Sequence, residues 1–198
     1  LGIALLGPFI GVKMPLTVIQ MLWVNLIMDT FAALALATEP PHEEVMNRPP
    51  RRPEDFIVTP EMRKNIFLTA LLFLIILLGF LLQMKYDDGH MTRREESVFF
   101  TVFIMLQFWN MFNARCLGLH QSAFSGLSEN KGFLVIAAII LFGQIFIVQL
   151  GGSVFRTEPL FLMDWLFIVG GTSMVLWIGE FFRSMQGRGD KAVVPVQG

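Results

Sequence analysis

The 198-residue sequence contains few of the groups on which disulfide-bonded, zinc-binding and nucleic-acid-binding proteins depend. Its single cysteine, Cys116, excludes an internal disulfide framework and any CxxC-type metal site, and we interpret it as an inert thiol. The three histidines, His42, His90 and His120, fall in separate polar segments, so a shared histidine metal site is not expected. The formal net charge of −1 indicates no nucleic-acid partner.

Sequence signatures of nucleotide chemistry are also missing. There is no P-loop pattern, no HExxH, no GxSxG and no glycine-rich dinucleotide fingerprint. We therefore expect this chain to contain no catalytic residue and no cofactor-binding residue, and to hydrolyse no nucleotide by itself. The long apolar blocks lack a strict alternation of apolar and polar residues, which argues against the strands of a membrane barrel.

Long apolar blocks are what the sequence has instead. Hydrophobic residues make up 54% of the chain, and most lie in runs long enough to cross a bilayer as helices. Because a helix satisfies its own backbone polar groups in lipid, an all-α integral membrane bundle is predicted, with the lipid bilayer as its surroundings. The predicted full spans are residues 18–37, 66–84, 97–113, 132–150 and 160–182.

The opening block, residues 1–12, is too short to span a bilayer. It starts with neither Met nor a charged region that would mark a signal peptide. We therefore expect it to be the end of a sixth helix that begins upstream, in a chain that is part of something larger.

Polar segments separate the spans and predict an orientation. Residues 38–65 form a proline-rich loop, at whose end Thr59, Pro60 and Glu61 are typical of a helix start. The short loops on the side of this segment hold about twice as many Lys and Arg residues as those on the other side. The loop 38–65 and the C-terminus are therefore predicted to be cytoplasmic. We divide the chain into a transmembrane domain, 1–185, and a short flexible tail, 186–198.

The polar residues of the span 18–37 are the first candidates for function. Asp29 lies near its midpoint, where a carboxylate costs about 2.5–3.5 kcal/mol on insertion scales. Asn25 precedes it by four residues, so both side chains are predicted on one helix face. Oxygen ligands at one depth suit a hard cation, and Gln20 and Thr30 add polarity to a transport path. The alternative is a structural pair, in which a protonated Asp29 and Asn25 join neighbouring helices.

Other polar residues in the spans have simpler interpretations. Gln107 and Asn110 are either further members of the transport path or interhelical hydrogen-bonding groups. Asn113 and Arg115 are predicted to cap the cytoplasmic end of their helix. Glu180 and Arg183 are interpreted as a surface ion pair. Asp164 and Trp165 are interpreted as anchors at the membrane boundary. Gly170, Gly171 and Gly179 are predicted to allow close helix packing.

Counting ligands indicates that the ion site is incomplete within this chain. Calcium takes about six to eight oxygen ligands, whereas Asn25 supplies one and Asp29 at most two, so even with Gln107 the total reaches only about four. Further helices outside the sequence are therefore expected to supply the remaining ligands.

Two stretches resemble one known family. Residues 15–41 read PLTVIQMLWVNLIMDTFAALALATEPP and closely resemble the sixth membrane helix of P-type calcium pumps, especially the plasma-membrane type. Residues 100–115 read FTVFIMLQFWNMFNAR and are similar to the eighth helix. The resemblance covers nearly the whole chain up to Met185, and implies the end of helix five through helix ten.

The resemblance implies an ATP-driven calcium exporter with a phosphoaspartate intermediate. Asn25 and Asp29 match the two helix-six ligands of its retained ion site. Met28 and Gln107 stand where two-ion pumps carry a Thr and a Glu, which implies a single Ca²⁺ site. The phosphorylation and nucleotide-binding domains, which use Mg²⁺ and ATP, and the preceding membrane helices lie outside this sequence and are the expected partners. The short tail suits a bacterial member in the cytoplasmic membrane.

Two alternatives stay open on the sequence alone. The first is a pump for another cation, such as Mn²⁺, Na⁺ or H⁺. The second belongs to a different class, a stand-alone helical membrane protein that acts as a channel subunit or a scaffold.

Overall fold

A computed structural model describes residues 2–10, 16–40, 58–88, 91–117 and 121–191, and the regular structure within these ranges is entirely helical. This confirms the predicted all-α class. The helices are α1 Gly2–Ile10, α2 Val18–Ala37, α3 Pro60–Asp88, α4 Arg93–Arg115, α5 Lys131–Leu150, α6 Gly152–Phe155, α7 Leu162–Thr172 and α8 Met174–Lys191.

Five helical segments within the described ranges are long and apolar enough to cross a membrane. They are Val18–Ala37, Met62–Gln83, Arg93–Arg115, Lys131–Leu150 and Leu162–Met185, the last combining α7 and α8. Helix α4 is the central helix, because 61% of its apolar stretch is buried inside the chain, whereas only 11% of the apolar stretch of α3 is buried. Its Phe99, Phe100 and Met105 are almost completely buried.

Local capping determines where the helices begin. Thr92 caps α4 in a reciprocal capping box with Glu95, so the helix starts at Arg93 rather than at the predicted residue 97. Thr59 accepts a hydrogen bond from the Met62 amide at 3.2 Å, as its sequence position predicts for the start of α3. Asn130 accepts one from the Phe133 amide at 2.9 Å and begins α5.

Two helices run beyond their predicted ends. Helix α3 continues to Asp88 instead of residue 84, so the predicted charged loop 85–96 is mostly helical. Helix α8 continues to Lys191, so residues 186–191, which the sequence analysis assigned to the tail, are helical. Charged side chains do not interrupt a helix once it leaves the apolar layer, and apolar length alone therefore underestimates the helix. Residues 41–57 of the loop 38–65, and residues 192–198, lie outside the described residues.

The last span is interrupted at Ser173, between α7 and α8. The Thr172 hydroxyl donates to the Ile168 carbonyl at 2.6 Å, and the Ser173 hydroxyl donates to the Gly170 carbonyl at 2.7 Å. Such bonds from Ser and Thr to the preceding turn often bend helices.

The glycines of this span do not behave alike. A Cβ on Gly170 or Gly171 would meet no atom within 4 Å, so the predicted close packing at this pair is wrong. A Cβ on Gly179 would lie 2.3 Å from Asn113 Oδ1, so close packing is confirmed there. Trp165 is only 9% exposed and packs in the core, rather than anchoring the helix at the membrane boundary as predicted.

Polar contacts join the chain at two opposite ends of the bundle. At one end, called the Glu39 end, Glu39 pairs with Arg115 of α4. At the other, called the Arg94 end, Arg94 pairs with Asp164 at 2.8 Å and Glu96 with Arg156 at 2.9 Å. At the Glu39 end, Glu180 of α8 also accepts hydrogen bonds from Ser122 and Ala123, so residues 38–40, the connection 121–130 and Glu180 lie together.

Candidate ion site on helix α2

Helix α2 changes its hydrogen-bonding pattern at its centre. It is α-helical over Val18–Asn25, π-helical over Leu26–Ala32 and α-helical again over Ala33–Ala37. π-Helical turns are rare and are frequently found at functional sites. The backbone of Asp29 belongs to this π-helical segment, whereas its side chain, like that of Met28, lies outside the described residues. The predicted carboxylate ligand therefore sits on the irregular part of the helix.

Helix α2 has one buried face and one open face. Ile27, Ala32 and Ala35 are at most 5% exposed and pack into the bundle. Asn25 and Thr30 are exposed, and they share the open side with Leu22, Leu26 and Leu34. The Asn25 side chain does not cap the π-helical segment. Its amide is thus accessible to whatever packs against this side of the chain.

Gln20 is separated from this open face. It is 1% exposed, its Oε1 accepts from the Thr17 amide at 2.8 Å, and its Nε2 donates to the Phe155 carbonyl at 2.9 Å. The structure therefore uses Gln20 to cap α2 and to tie it to α6, and does not bring it beside Asn25. The capping-box spacing from Thr17 to Gln20 was a sequence signal for this role.

Trp23 holds the middle of α2 against α5. Its Nε1 donates to Gln144 Oε1 at 3.0 Å, and a Cβ on Gly143 would lie 3.1 Å from its ring. The missing side chain at Gly143 therefore lets the indole lie directly on the α5 backbone. Gln144 is completely buried. Sequence reasoning missed this contact, although a Gln inside an apolar span signals that a partner is needed.

The end of α2 is fixed at the Glu39 end by a buried ion pair. The Arg115 Nε and Nη2 atoms both donate to the Glu39 carboxylate, and Nη1 donates to the Ala123 carbonyl at 2.8 Å. The Arg115 side chain is only 4% exposed, and its guanidinium lies 4.8 Å from the centre of the Phe133 ring. Arg115 therefore joins α4 to α2 and to the connection 121–130, and the prediction that it caps its own helix is wrong.

A second contact at this end adds a hydroxyl bond between α2 and α5. The Thr38 hydroxyl donates to Asn130 Oδ1 at 3.1 Å, and a Cβ on Gly132 would lie 3.0 Å from the Thr38 methyl group. Contacts at Gln20, Trp23 and residues 38–39 thus hold α2 at three levels. The π-helical segment lies between the last two, so its buried face is fixed while its open face carries Asn25 and Thr30.

The predicted polar residues of α4 do not form one group. Gln107 is half-buried and its Nε2 donates weakly to the Phe103 carbonyl of its own helix, at 3.4 Å. Asn110 is also half-buried. Asn113 donates to the Val175 carbonyl at 3.0 Å and accepts from Arg183 Nη2 at 2.9 Å, so it joins α4 to α8 rather than capping α4. Within the described chain, none of the three bonds to α2.

Glu180 and Arg183 form the predicted ion pair, at 3.0 Å, but not a surface one. Their side chains are 19% and 12% exposed. Glu180 Oε1 also accepts hydrogen bonds from the Ser122 hydroxyl and the Ala123 amide. The pair therefore fastens the connection 121–130 to α8. Beside it, burial raises the pKa of the Cys116 thiol.

Metal ligands of the usual ionisable kind are not gathered within the described chain. Among the described residues, no group of three His, Cys, Asp or Glu side chains lies close enough to hold a metal ion. The described oxygens on the open face of α2 are thus neutral, from the amide of Asn25 and the hydroxyl of Thr30.

Comparison with known proteins decides the family. The family model described as "Cation transporting ATPase, C-terminus" matches residues 13–185. The chain belongs to this family. The match covers all five spanning segments completely, including all of α2, so the helix with Asn25 and Asp29 is part of the family region.

Curated relatives of this cation transporting ATPase chain are named as calcium pumps. "Calcium-transporting ATPase PAT1" of Dictyostelium discoideum is 37% identical over 182 residues, covering 86% of this chain and 16% of the relative. Human "Plasma membrane calcium-transporting ATPase 3" is 36% identical over 187 residues, covering 88% and 15%. "Calcium-transporting ATPase 8, plasma membrane-type" of Arabidopsis thaliana is 36% identical over 178 residues, covering 84% and 16%. The chain thus spans about 16% of the length of such relatives.

Family membership and the five apolar helices together make this chain a multi-pass membrane protein of the cation transporting ATPase family. The recognition made from residues 15–41 and 100–115 is therefore confirmed. A stand-alone channel or scaffold is not favoured by this result.

Proposed function

We propose that this chain is the membrane half of an ATP-driven pump that exports Ca²⁺ from the cell. Two lines of support meet in α2. The curated relatives are named as calcium-transporting ATPases, and the strongest single observation in the structure is the π-helical segment Leu26–Ala32, which carries Asp29 next to the open Asn25 face. The fragment contributes part of the site and hydrolyses no ATP itself.

The proposed ligands in this chain are Asn25 and Asp29, and they serve one calcium ion. Met28 offers no hard oxygen, and Gln107 offers no charge, so a second ion site is not expected. The exposed Thr30 lies beside Asp29 in the chain and is a member of the proposed path. Gln20 is less suited to such a role, because both ends of its amide are already hydrogen-bonded.

The remaining ligands come from membrane helices of the same protein that are outside this chain. The open face of α2, with Asn25, Thr30 and the three exposed leucines, is the surface that such helices would cover. Phosphorylation and nucleotide-binding domains would supply the Mg²⁺ and ATP chemistry. Movement from these domains would reach α2 through residues 38–40, which Arg115 and Asn130 connect to α4 and α5.

We propose a cell-membrane location, with the loop 38–65 and the C-terminus in the cytoplasm. The Lys and Arg distribution supports this orientation. Contacts at the Glu39 end support placing these segments on one side of the membrane, since residues 38–40, the connection 121–130 and Glu180 of α8 meet there. Calcium would then enter from this end, and Asp29 would take up a proton once the ion has left outward, which offsets the cost of an empty buried carboxylate.

The test is the substitution Asp29→Asn in the full-length protein. We expect it to abolish calcium-dependent phosphorylation by ATP, because the amide removes the only charge among the proposed ligands. Asp164→Asn serves as the matched control, since it makes the same chemical change at the Arg94 end. Normal phosphorylation of the Asp29→Asn variant at wild-type calcium concentrations would refute the ligand assignment.

A pump for Mn²⁺, Na⁺ or H⁺ is the second candidate, because the family description names cations in general. Competition in the full-length protein separates the two. If micromolar calcium supports phosphorylation and the other ions do not compete, the calcium assignment stands. If Mn²⁺ or Na⁺ supports phosphorylation in the absence of calcium, it falls.

A further inference from the structure

A groove of about 490 Å³ opens on the side of the bundle where α3, α4, α7 and α8 meet. We call it the side groove. Its walls are almost entirely apolar, and six of the lining residues are Ile76, Phe80, Val102, Phe167, Gly171 and Ile178. It lies within the apolar spans and apart from the open face of α2. The proposed ion site makes no use of it.

Gly171 contributes open space to the side groove. A Cβ at Gly171 would meet no atom within 4 Å, so this position leaves space that a larger side chain would occupy. The interruption of the last span at Ser173 follows directly after this position. Empty apolar space of this size is unfavourable in a close-packed bundle, since its lining atoms lose their dispersion contacts. A partner that fills the space would restore them.

The dimensions of the side groove match one hydrocarbon chain. Its lining runs along the last span from Asp164 to Ile178, which corresponds to about 21 Å at the usual helical rise. A volume of about 490 Å³ over that length gives a channel roughly 5 Å across.

Charged groups lie at one mouth of the side groove. Asp164 lines it, and Arg94 donates to both Asp164 oxygens through Nη2, at 2.9 and 2.8 Å. The Arg94 side chain remains 46% exposed, so part of it stays accessible beside the pair with Asp164. Its guanidinium also stacks over the Phe161 ring, 5.0 Å from the centroid, which fixes its position. Outward guanidinium groups at a membrane boundary are well suited to a phosphate.

We propose that the side groove binds one acyl chain of a bilayer phospholipid, with the headgroup phosphate at Arg94. Lipid tails are as apolar as the groove walls, so the site gains its preference over bulk lipid from packing and from the guanidinium contact. Lipid held here would cover the junction of α3, α4 and the last span.

Photolabelling tests the proposal in the full-length protein, reconstituted in phosphatidylcholine nanodiscs that contain a phosphatidylcholine with a diazirine on one acyl chain. Labelled peptides are expected to include residues 167–178. Gly171→Leu fills the side groove and should reduce this labelling, whereas Gly170→Leu is the matched control, because Gly170 has equal space around its Cβ and does not line the groove. Arg94→Gln is expected to reduce labelling about tenfold, equivalent to about 1.4 kcal/mol.

Three results would overturn the proposal. They are an absence of labelling between residues 167 and 178 in the unsubstituted protein, equal labelling of the Gly171→Leu and Gly170→Leu variants, and copurification of a second protein that crosslinks to this face and excludes the lipid. Tryptophan fluorescence of each variant checks that it is folded. If Gly171→Leu does not fold, Gly171→Val is the replacement, and Arg94→Gln tests the headgroup contact independently.

Discussion

The ion pair between Glu39 and Arg115 yields the sharpest prediction for stability. The Arg115 side chain, at the end of α4, is 4% exposed and donates two hydrogen bonds to Glu39, which follows α2. Glu39→Gln keeps the shape and one oxygen acceptor but removes the charge. We expect the free energy of unfolding of this variant to fall by about 1.5–3 kcal/mol, because a hydrogen bond to a charged group contributes about this much. Glu39→Ala should lose about 3–5 kcal/mol, because it leaves a buried guanidinium unpaired.

The magnitude follows from the geometry. The Nη2–Oε2 distance of 3.2 Å corresponds to an attraction of about 5 kcal/mol at an effective dielectric constant near 20. Desolvation of both groups offsets part of this attraction. The carbonyl of Ala123 and the ring of Phe133 still contact Arg115 in the variants, so the loss stays below the full Coulomb value.

The assay is unfolding of the purified protein from mixed micelles by added dodecyl sulfate, followed by tryptophan fluorescence. Asp164→Asn is the matched control, since it too converts an acid that binds an arginine across two helices into its amide. Its partner Arg94 is 46% exposed, so we expect a loss of less than about 1 kcal/mol. Equal losses for Glu39→Gln and Asp164→Asn would show that burial of Arg115 does not control the energy of the pair, and the reasoning would fail.

Three further predictions concern other contacts of the bundle. Gly179→Ala should destabilise the protein by about 1–3 kcal/mol, because its Cβ would lie 2.3 Å from Asn113 Oδ1. Gln144→Leu removes the hydrogen bond to Trp23, and should cost about 0.6 kcal/mol and change the tryptophan emission of the folded protein. Because burial raises the pKa of Cys116, alkylation of its thiol should be slow at neutral pH. The alkylation rate should still rise above a pH of about 8.5, where a free cysteine is already half converted to thiolate.

These predictions have their own controls. Gly79→Ala adds the same methyl group where a Cβ meets no atom within 4 Å, and should not destabilise the protein. An equal effect at Gly79 and Gly179 would contradict the packing argument. A stability and an emission spectrum unchanged in Gln144→Leu would show that the Trp23 bond does not form. Alkylation of the folded protein at the rate of a free thiol at pH 7 would contradict burial of Cys116.

The sequence by itself determined the class of protein and the candidate ligands. Apolar length sets the number of spans, because each helix satisfies its own backbone and needs no distant partner to form. A carboxylate in the middle of an apolar run can be recognised from the sequence, because its neighbours along the chain define the run. The Thr59 cap can also be recognised, because its hydrogen bond spans only three residues. Helix ends at α3 and α8 were less well predicted, since charged residues continue a helix without extending its apolar run.

Only the tertiary structure decided which polar side chains serve the bundle and which remain open. Gln20, Trp23 and Arg115 bond to partners 135, 121 and 76 residues away in the chain, and no local pattern indicates such pairs. The same holds for Gly171, whose empty surroundings depend on three other helices. Side-chain type and spacing place a residue on a helix, but the face that a helix buries depends on how all the helices pack together.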